Sequence, residues 1–222
     1  MGAAELARRR SYKEALKATK NKLHQVGGAY QDAKIDYDKA LLTLKTAQQE
    51  TNGIQRDALV EIMRLHTSTR ERLPILDRFY ADTLAGLPPI HTVMDIACGL
   101  NPLAQSWMPL AEDATYLAYD IYADMMAFLG DYLALAGIPG QAEVRDVAAQ
   151  PPTEPVDLAL LLKTLPVLAQ IDKTAVPRLL DCLQARYLLI SFPPKAWVDG
   201  KRVWCKTTRR SLRAGLKGVA GA

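Results

Sequence analysis

Val93-Met94-Asp95-Ile96-Ala97-Cys98-Gly99-Leu100-Asn101-Pro102 is the most informative run in the chain. Val93 to Ile96 make a short apolar strand, and Cys98-Gly99 turns the backbone out of it. Downstream, Thr115-Tyr116-Leu117-Ala118-Tyr119 forms a second strand ending on Asp120. A third lies around Ala142-Glu143-Val144 and ends on Asp146, and the fully apolar stretch from Val156 to Leu162 is a fourth, ending on Lys163. Tyr187 to Ser191 is a fifth. Helical stretches from Met125 to Ala136 and through Val176 to Leu183 separate them. Strands alternating with helices at this spacing predict an α/β fold, a Rossmann-like parallel sheet wound on both faces.

Upstream of Pro88-Pro89 the texture is helical. Tyr12, Leu16, Thr19, Leu23 and Val26 recur every three to four residues, and Gly27-Gly28 ends that helix. A second helix runs from about Ile35 to Gln49, and a third carries Ile54, Ala58, Leu59, Ile62 and Met63. Ser68-Thr69-Arg70-Glu71 fits a capping box with Ser68 as N-cap. Ile75, Leu76, Phe79, Tyr80 and Leu84 then give a helical face stopped by Gly86. The sequence therefore divides into a helical segment (1–87), a sheet domain (88–194) and a tail (195–222).

The chain has 222 residues, 49% of them hydrophobic, and a net charge of +4. This apolar content excludes a disordered chain. Cys98, Cys182 and Cys205 form no CxxC pair, so neither a disulfide scaffold nor a metal site is expected. No run is long and apolar enough for a membrane span, and the N-terminus lacks a signal-peptide core; a cytoplasmic monomer is expected. Charge is uneven. Residues 1–35 carry eight Lys/Arg against three acids and residues 195–222 eight against Asp199 alone, which leaves the middle acidic. Basic ends suit a polyanion, although a solvated helix face would read the same way.

Ligands of such sheets sit outside the carboxyl ends of the strands. Gly99 lets the backbone approach a ligand closely. One glycine in place of G-x-G-x-x-G disfavours a dinucleotide. Asp120, 25 residues after Asp95, is placed to accept from two ribose hydroxyls, and Asp146 to accept from an exocyclic amine such as adenine N6. Each has a plainer reading, since an Asp after a strand is often a helix N-cap. Their joint occurrence at successive strand ends favours an adenosine-containing cofactor, S-adenosyl-L-methionine. Cys98 reads as a small buried filler, and His24 and His91 show no ligand spacing.

Four stretches carry a resemblance: His66-Thr67-Ser68-Thr69-Arg70-Glu71-Arg72-Leu73, Asp95-Ile96-Ala97-Cys98-Gly99-Leu100-Asn101-Pro102-Leu103-Ala104, Leu161-Leu162-Lys163-Thr164-Leu165-Pro166 and Ile190-Ser191-Phe192-Pro193. Over about residues 12–194 the chain resembles the aminoglycoside-resistance 16S ribosomal RNA methyltransferases that modify N7 of guanine 1405. The resemblance implies a class I methyltransferase sheet behind a helical RNA-binding domain, S-adenosyl-L-methionine as cofactor, and 16S rRNA in the 30S subunit as partner. It implies that Arg72 pairs with the cofactor carboxylate, with His66, Thr67 and Ser68 lining that end. Ala97 and Gly99 would face methionine and ribose, Asp120 and Ile121 the ribose and adenine edge, Asp146 and Val147 the adenine, and Leu162 and Lys163 the pocket floor. The family's Gln after the Leu-Pro segment has Ile171 in register here, with Gln170 one position earlier.

The ends depart from the family. It carries further residues before the segment matching Tyr12. After Ser191-Phe192-Pro193 it continues with a Ser-Leu-Gly-Gly-Arg, Lys-Gly-Met pattern and two last strands. This chain reads Lys195-Ala196-Trp197-Val198-Asp199-Gly200-Lys201-Arg202-Val203-Trp204-Cys205-Lys206 instead. Back-translation from the last base of the Lys195 codon in a shifted frame permits Ser-Leu-Gly-Gly-Arg-Glu-Lys-Gly-Met-Val-Gln-Asn-Tyr. The expectation is a frameshift near Lys195 and a sheet without its last strands. Two alternatives stand beside the rRNA enzyme: a methyltransferase of the same fold acting on a small molecule or protein, and a remnant that binds without turnover.

Overall fold

A computed structural model describes the backbone of residues 2–8, 11–27, 34–51, 53–192, 196–198, 201–203 and 208–211, and the side chains of 5–8, 11–19, 34–49 and 53–192. Helices α1 (Gly2–Arg8), α2 (Tyr12–Gly27), α3 (Tyr37–Thr51), α4 (Arg56–Met63), α5 (Thr67–Arg70) and α6 (Leu76–Leu84) precede the sheet. Strands β1 (Thr92–Ile96), β2 (Thr115–Asp120), β3 (Gly140–Val144), β4 (Val156–Leu162) and β5 (Ala185–Ser191) are mutually parallel in the order β3-β2-β1-β4-β5. Helix α7 (Ala123–Leu135) joins β2 to β3, and α8 (Thr164–Ile171) and α9 (Ala175–Cys182) join β4 to β5. The chain changes direction across the sheet between β1 and β4, which places the switch point beside the loop after Ile96.

Burial explains the strand order. β1 and β4 are buried almost throughout, as central strands covered on both faces must be, whereas β3 is largely exposed and forms an edge. Alternate side chains enter two cores. Val93, Tyr116, Ala118, Leu158 and Leu160 join Leu44, Leu59, Ile62, Met63, Tyr80 and Leu84, so the N-terminal helices and one sheet face share a single core. Met94, Ile96, Ala159, Leu161 and Leu188 pack with Leu165, Leu168 and Leu179 of α8 and α9 on the other face.

Two expectations are corrected. The capping box does not form: α5 starts at Thr67 with His66 at its N-cap, and Glu71 already lies past the last turn. The Thr69 hydroxyl donates to the carbonyls of Met63 (2.6 Å) and His66 (3.0 Å), while the Glu71 carboxylate pairs with Lys163. A helix this short leaves no position from which Glu71 could reach back, and the ammonium is the stronger partner. The tail, expected to lack strands, supplies β6 (Ala196–Val198), β7 (Lys201–Val203) and β8 (Thr208–Ser211). β6 and β7 form a hairpin, and β8 pairs antiparallel with β5, Tyr187 opposite Ser211. Backbone pairing alone covers the open edge of β5, so no apolar period is needed. The rest of the proposed frameshifted region lies outside the described residues.

Candidate active site

The loops that leave β1, β2 and β4 converge with α5 on one cavity. Of the residues expected there, His66, Ser68, Ala97, Gly99, Asp120, Ile121, Leu162 and Lys163 line it. Two of its non-glycine residues, Ala97 (φ 52°) and Lys163 (φ 62°), occupy the left-handed region that side chains disfavour. Gly99 shares that conformation (φ 53°), and a Cβ added to it would lie 2.7 Å from His66 Cε1. The backbone favours glycine here, and the imidazole against it leaves no room for a Cβ.

Asp120 is buried at the end of β2 and organises the turn opposite. Its Oδ2 accepts the Gly99 N–H at 3.0 Å and its Oδ1 the Ile121 N–H at 2.7 Å. Burial raises the carboxyl pKa, and the amides of Gly99, Ile121 and Tyr122 oppose that rise. His66 is held well below its ordinary value, at about 4, by burial first and then by the charges of Arg72, Lys163 and Arg70. Its ring is therefore neutral at physiological pH.

Behind the loop lies a polar relay. Asn101 Oδ1 accepts from Arg72 Nη1 (2.5 Å) and from the Tyr80 hydroxyl (2.5 Å). Its Nδ2 donates to Asp95 Oδ2 (2.7 Å), which also accepts from the Tyr116 hydroxyl (2.7 Å). All five residues are buried. One amide thus bridges a buried cation and a buried anion, with its acceptor turned to the guanidinium and its donor to the carboxylate. Burial raises Asp95 to about 6, and the bonds from Asn101 and Tyr116 and the charge of Arg72 hold it from going further.

The remaining expected residues lie off the cavity. Arg72 stands behind it, bonded to Asn101 with its guanidinium 5.5 Å from the Phe79 ring centroid. Thr67 Oγ1 accepts from Arg70 (3.3 Å). Asp146 Oδ1 accepts the N–H groups of Ala148 (3.1 Å) and Ala149 (3.3 Å), so it caps its own turn, and Val147 is buried in the second core. Sequence reasoning missed Tyr122, Thr164 and Val167, which line the cavity. Tyr122 and Thr164 directly follow residues already singled out, Ile121 and Lys163, whereas Val167 lies one turn into α8. Cys98 also borders the cavity, with its thiol pKa pushed up by burial.

The donor set suits an adenosine-type cofactor. A buried carboxylate faces the glycine turn, as a ribose diol needs, with a neutral imidazole against the same turn and a lysine also in the lining. The cavity encloses about 80 Å³, well under the ~300 Å³ at which small-molecule sites begin. Two wider depressions, of about 610 and 680 Å³, lie beside Asp36 and Phe128 and beside Arg56 and Trp107. Neither includes a strand end.

Residues 3–217 match the family model described as ribosomal RNA methyltransferase (FmrO). The chain belongs to this family. Among its relatives, a Frankia casuarinae protein named 16S rRNA (guanine(1405)-N(7))-methyltransferase is 38% identical over 87% of this chain and 69% of its own length. A Micromonospora rosea protein of the same name is 36% identical over 87% and 72%. Of solved structures, the 16S rRNA methyltransferase RmtF in complex with S-adenosyl-L-homocysteine is similar with a TM-score of 0.71 and 31% identity, covering 90% of this chain and 74% of that one. The 16S rRNA methylase RmtB also gives 0.71, at 29% identity over 86% and 73%. The FmrO fold is that of a class I methyltransferase, and its members act on ribosomal RNA. No helix among the described residues is long and apolar enough to cross a membrane, and none of their His, Cys, Asp and Glu side chains group as a metal site.

Proposed function

We propose that this FmrO-family chain transfers a methyl group from S-adenosyl-L-methionine to N7 of guanine 1405 in 16S rRNA of the 30S subunit, and so confers aminoglycoside resistance. The observation that carries the reading is the Asp120 carboxylate turned onto the Gly99 turn, inside a chain whose relatives are named for that reaction. In this reading the protein is a cytoplasmic monomer, residues 1–87 hold RNA phosphates and shape, and residues 88–194 hold the cofactor.

S-adenosyl-L-methionine supplies an electrophilic methyl group on a sulfonium. Asp120, beside Ile121, takes the ribose hydroxyls, and Gly99 and Ala97 let the backbone lie against the cofactor. Asp146, at the next strand end, takes the adenine amine, while Val147 stays packed in the second core. Arg72 places positive charge at the amino-acid end, with His66, Thr67 and Ser68 lining that end, and Leu162 and Lys163 close the floor. Neutral His66 adds no repulsion to the sulfonium. Guanine N7 has an in-plane lone pair and loses no proton, so no side chain need act as a base. The residues contribute alignment, a proximity effect. The stacked guanine is flipped out to reach them.

Methyl transfer from labelled cofactor to purified 30S subunits, followed by mapping of the modified base, tests this. Label at N7 of guanine 1405 is the expected result. Transfer only to protein or small molecules, or cofactor binding without transfer, would overturn it.

A further inference from the structure

The ion pair between Lys163 and Glu71 spans the rim of the cavity and joins the helical segment to the end of β4. Its two members differ in depth. The Lys163 side chain is 12% exposed and borders the cavity, whereas Glu71 is 49% exposed and lies outside the lining. Lys163 is fixed from behind: its backbone N–H donates to the Ser191 carbonyl at 2.9 Å, and the next residue bonds the Ile96 carbonyl through Thr164 Oγ1 at 2.9 Å. A lysine ammonium only donates and an ionised glutamate only accepts. From the cavity outward, the rim therefore presents a donor and then an acceptor.

Guanine carries the complement. N7 is flanked by the O6 acceptor, and beyond O6 along the same side come the N1–H and N2–H donors. A guanine that enters with N7 leading meets Lys163 at O6 and Glu71 at N1–H and N2–H. Adenine offers an amine to the ammonium and a bare N1 lone pair to the carboxylate, and both contacts are repulsive. We propose that Glu71 and Lys163 read the six-membered-ring edge of the target guanine and make the pocket select guanine over adenine. This rests on the methyltransferase reading above. It assigns Glu71 a specificity role toward RNA and none toward the cofactor.

The test compares wild-type protein with Glu71→Gln on 30S subunits reconstituted with either guanine or inosine at the target position. Inosine lacks only the N2 amine. The expected result is a fall in wild-type kcat/KM of about tenfold or more with inosine, since a charge-assisted bond is lost. Glu71→Gln should lose about tenfold or more on guanine, show little further loss on inosine, and bind cofactor in calorimetry as wild type does. The thermal midpoint of Glu71→Gln should stay near the wild-type value. Equal inosine penalties in wild type and Glu71→Gln would reduce the pair to a structural tie. Wild-type protein that leaves guanine 1405 unmodified would instead overturn the functional reading itself.

Discussion

Asp120 and Asp146 close neighbouring parallel strands, yet their carboxylates do different things. Asp120 is buried and bonds the Gly99 turn across from it. Asp146 is half-buried and spends Oδ1 on the amides of Ala148 and Ala149. The difference follows from the sheet. β2 lies inside it, so its last residue faces the loop of β1. β3 is an edge, and the chain beyond it meets its own backbone first. A strand-end aspartate becomes part of a site when a neighbouring strand's loop lies across from it; without one it becomes a cap.

The largest expected effect lies on the inner side. Asn101→Leu removes the amide that bridges Arg72 and Asp95 and leaves both charges buried without it. Unpairing a buried charge costs about 3–5 kcal/mol. Urea unfolding should show a loss of that order, whereas Asp146→Ala, which removes a capping acceptor, should cost about 1 kcal/mol. Comparable losses would erase the contrast between the sheet's interior and its edge.

Cofactor affinity should divide the same way. Bonds to a charged group contribute roughly 1.5–3 kcal/mol each, so Asp120→Ala should weaken binding about 100-fold or more in calorimetry, since two ribose contacts go with it. Asp146→Ala should cost about tenfold or less, because one exocyclic amine contact is at stake. Equal losses would mean that the edge carboxylate holds the nucleoside as firmly as the buried one.

The sheet was legible because its strands are short apolar runs punctuated by Asp, Gly and Lys, and residue types alone mark such boundaries. At Gly99, Asp120 and Lys163 the cavity was legible for the same reason, whereas His66, Ser68, Ala97, Ile121 and Leu162 were legible only through the family resemblance. Side-chain direction was not. Nothing local to Glu71 distinguishes a capping glutamate from one paired with Lys163, since that partner is 92 positions away. Helix α8 was not read from the sequence; its Pro166 sits in the first turn, where a proline gives up an N–H with no helical partner anyway. β8 escaped because Thr208-Arg209-Arg210-Ser211 has no apolar alternation, and its strand state depends on the open edge of β5.

The pH dependence of stability gives the smallest net effect, because two buried groups near the β1 loop oppose one another. His66 has an ordinary pKa of 6.5 and a folded value of about 4. Between these values the unfolded chain binds the extra proton, so its contribution is present above pH 6.5 and lost as pH falls toward 4. Asp95 has an ordinary value of 3.8 and a folded value of about 6. Here the native state binds the proton, so the contribution is complete below 3.8 and lost as pH rises through 6. Each corresponds to about 3 kcal/mol as an upper figure, and the two largely cancel between pH 4 and 6. Single variants should expose them in urea titrations at stepped pH. Relative to wild type, His66→Gln should gain stability as pH falls from 6.5 to 4, and Asp95→Asn should lose it over the same interval. Two difference curves of the same sign would mean that one of these groups is solvated in the native state, and the inner side of the sheet would then be no more sealed than the edge at β3.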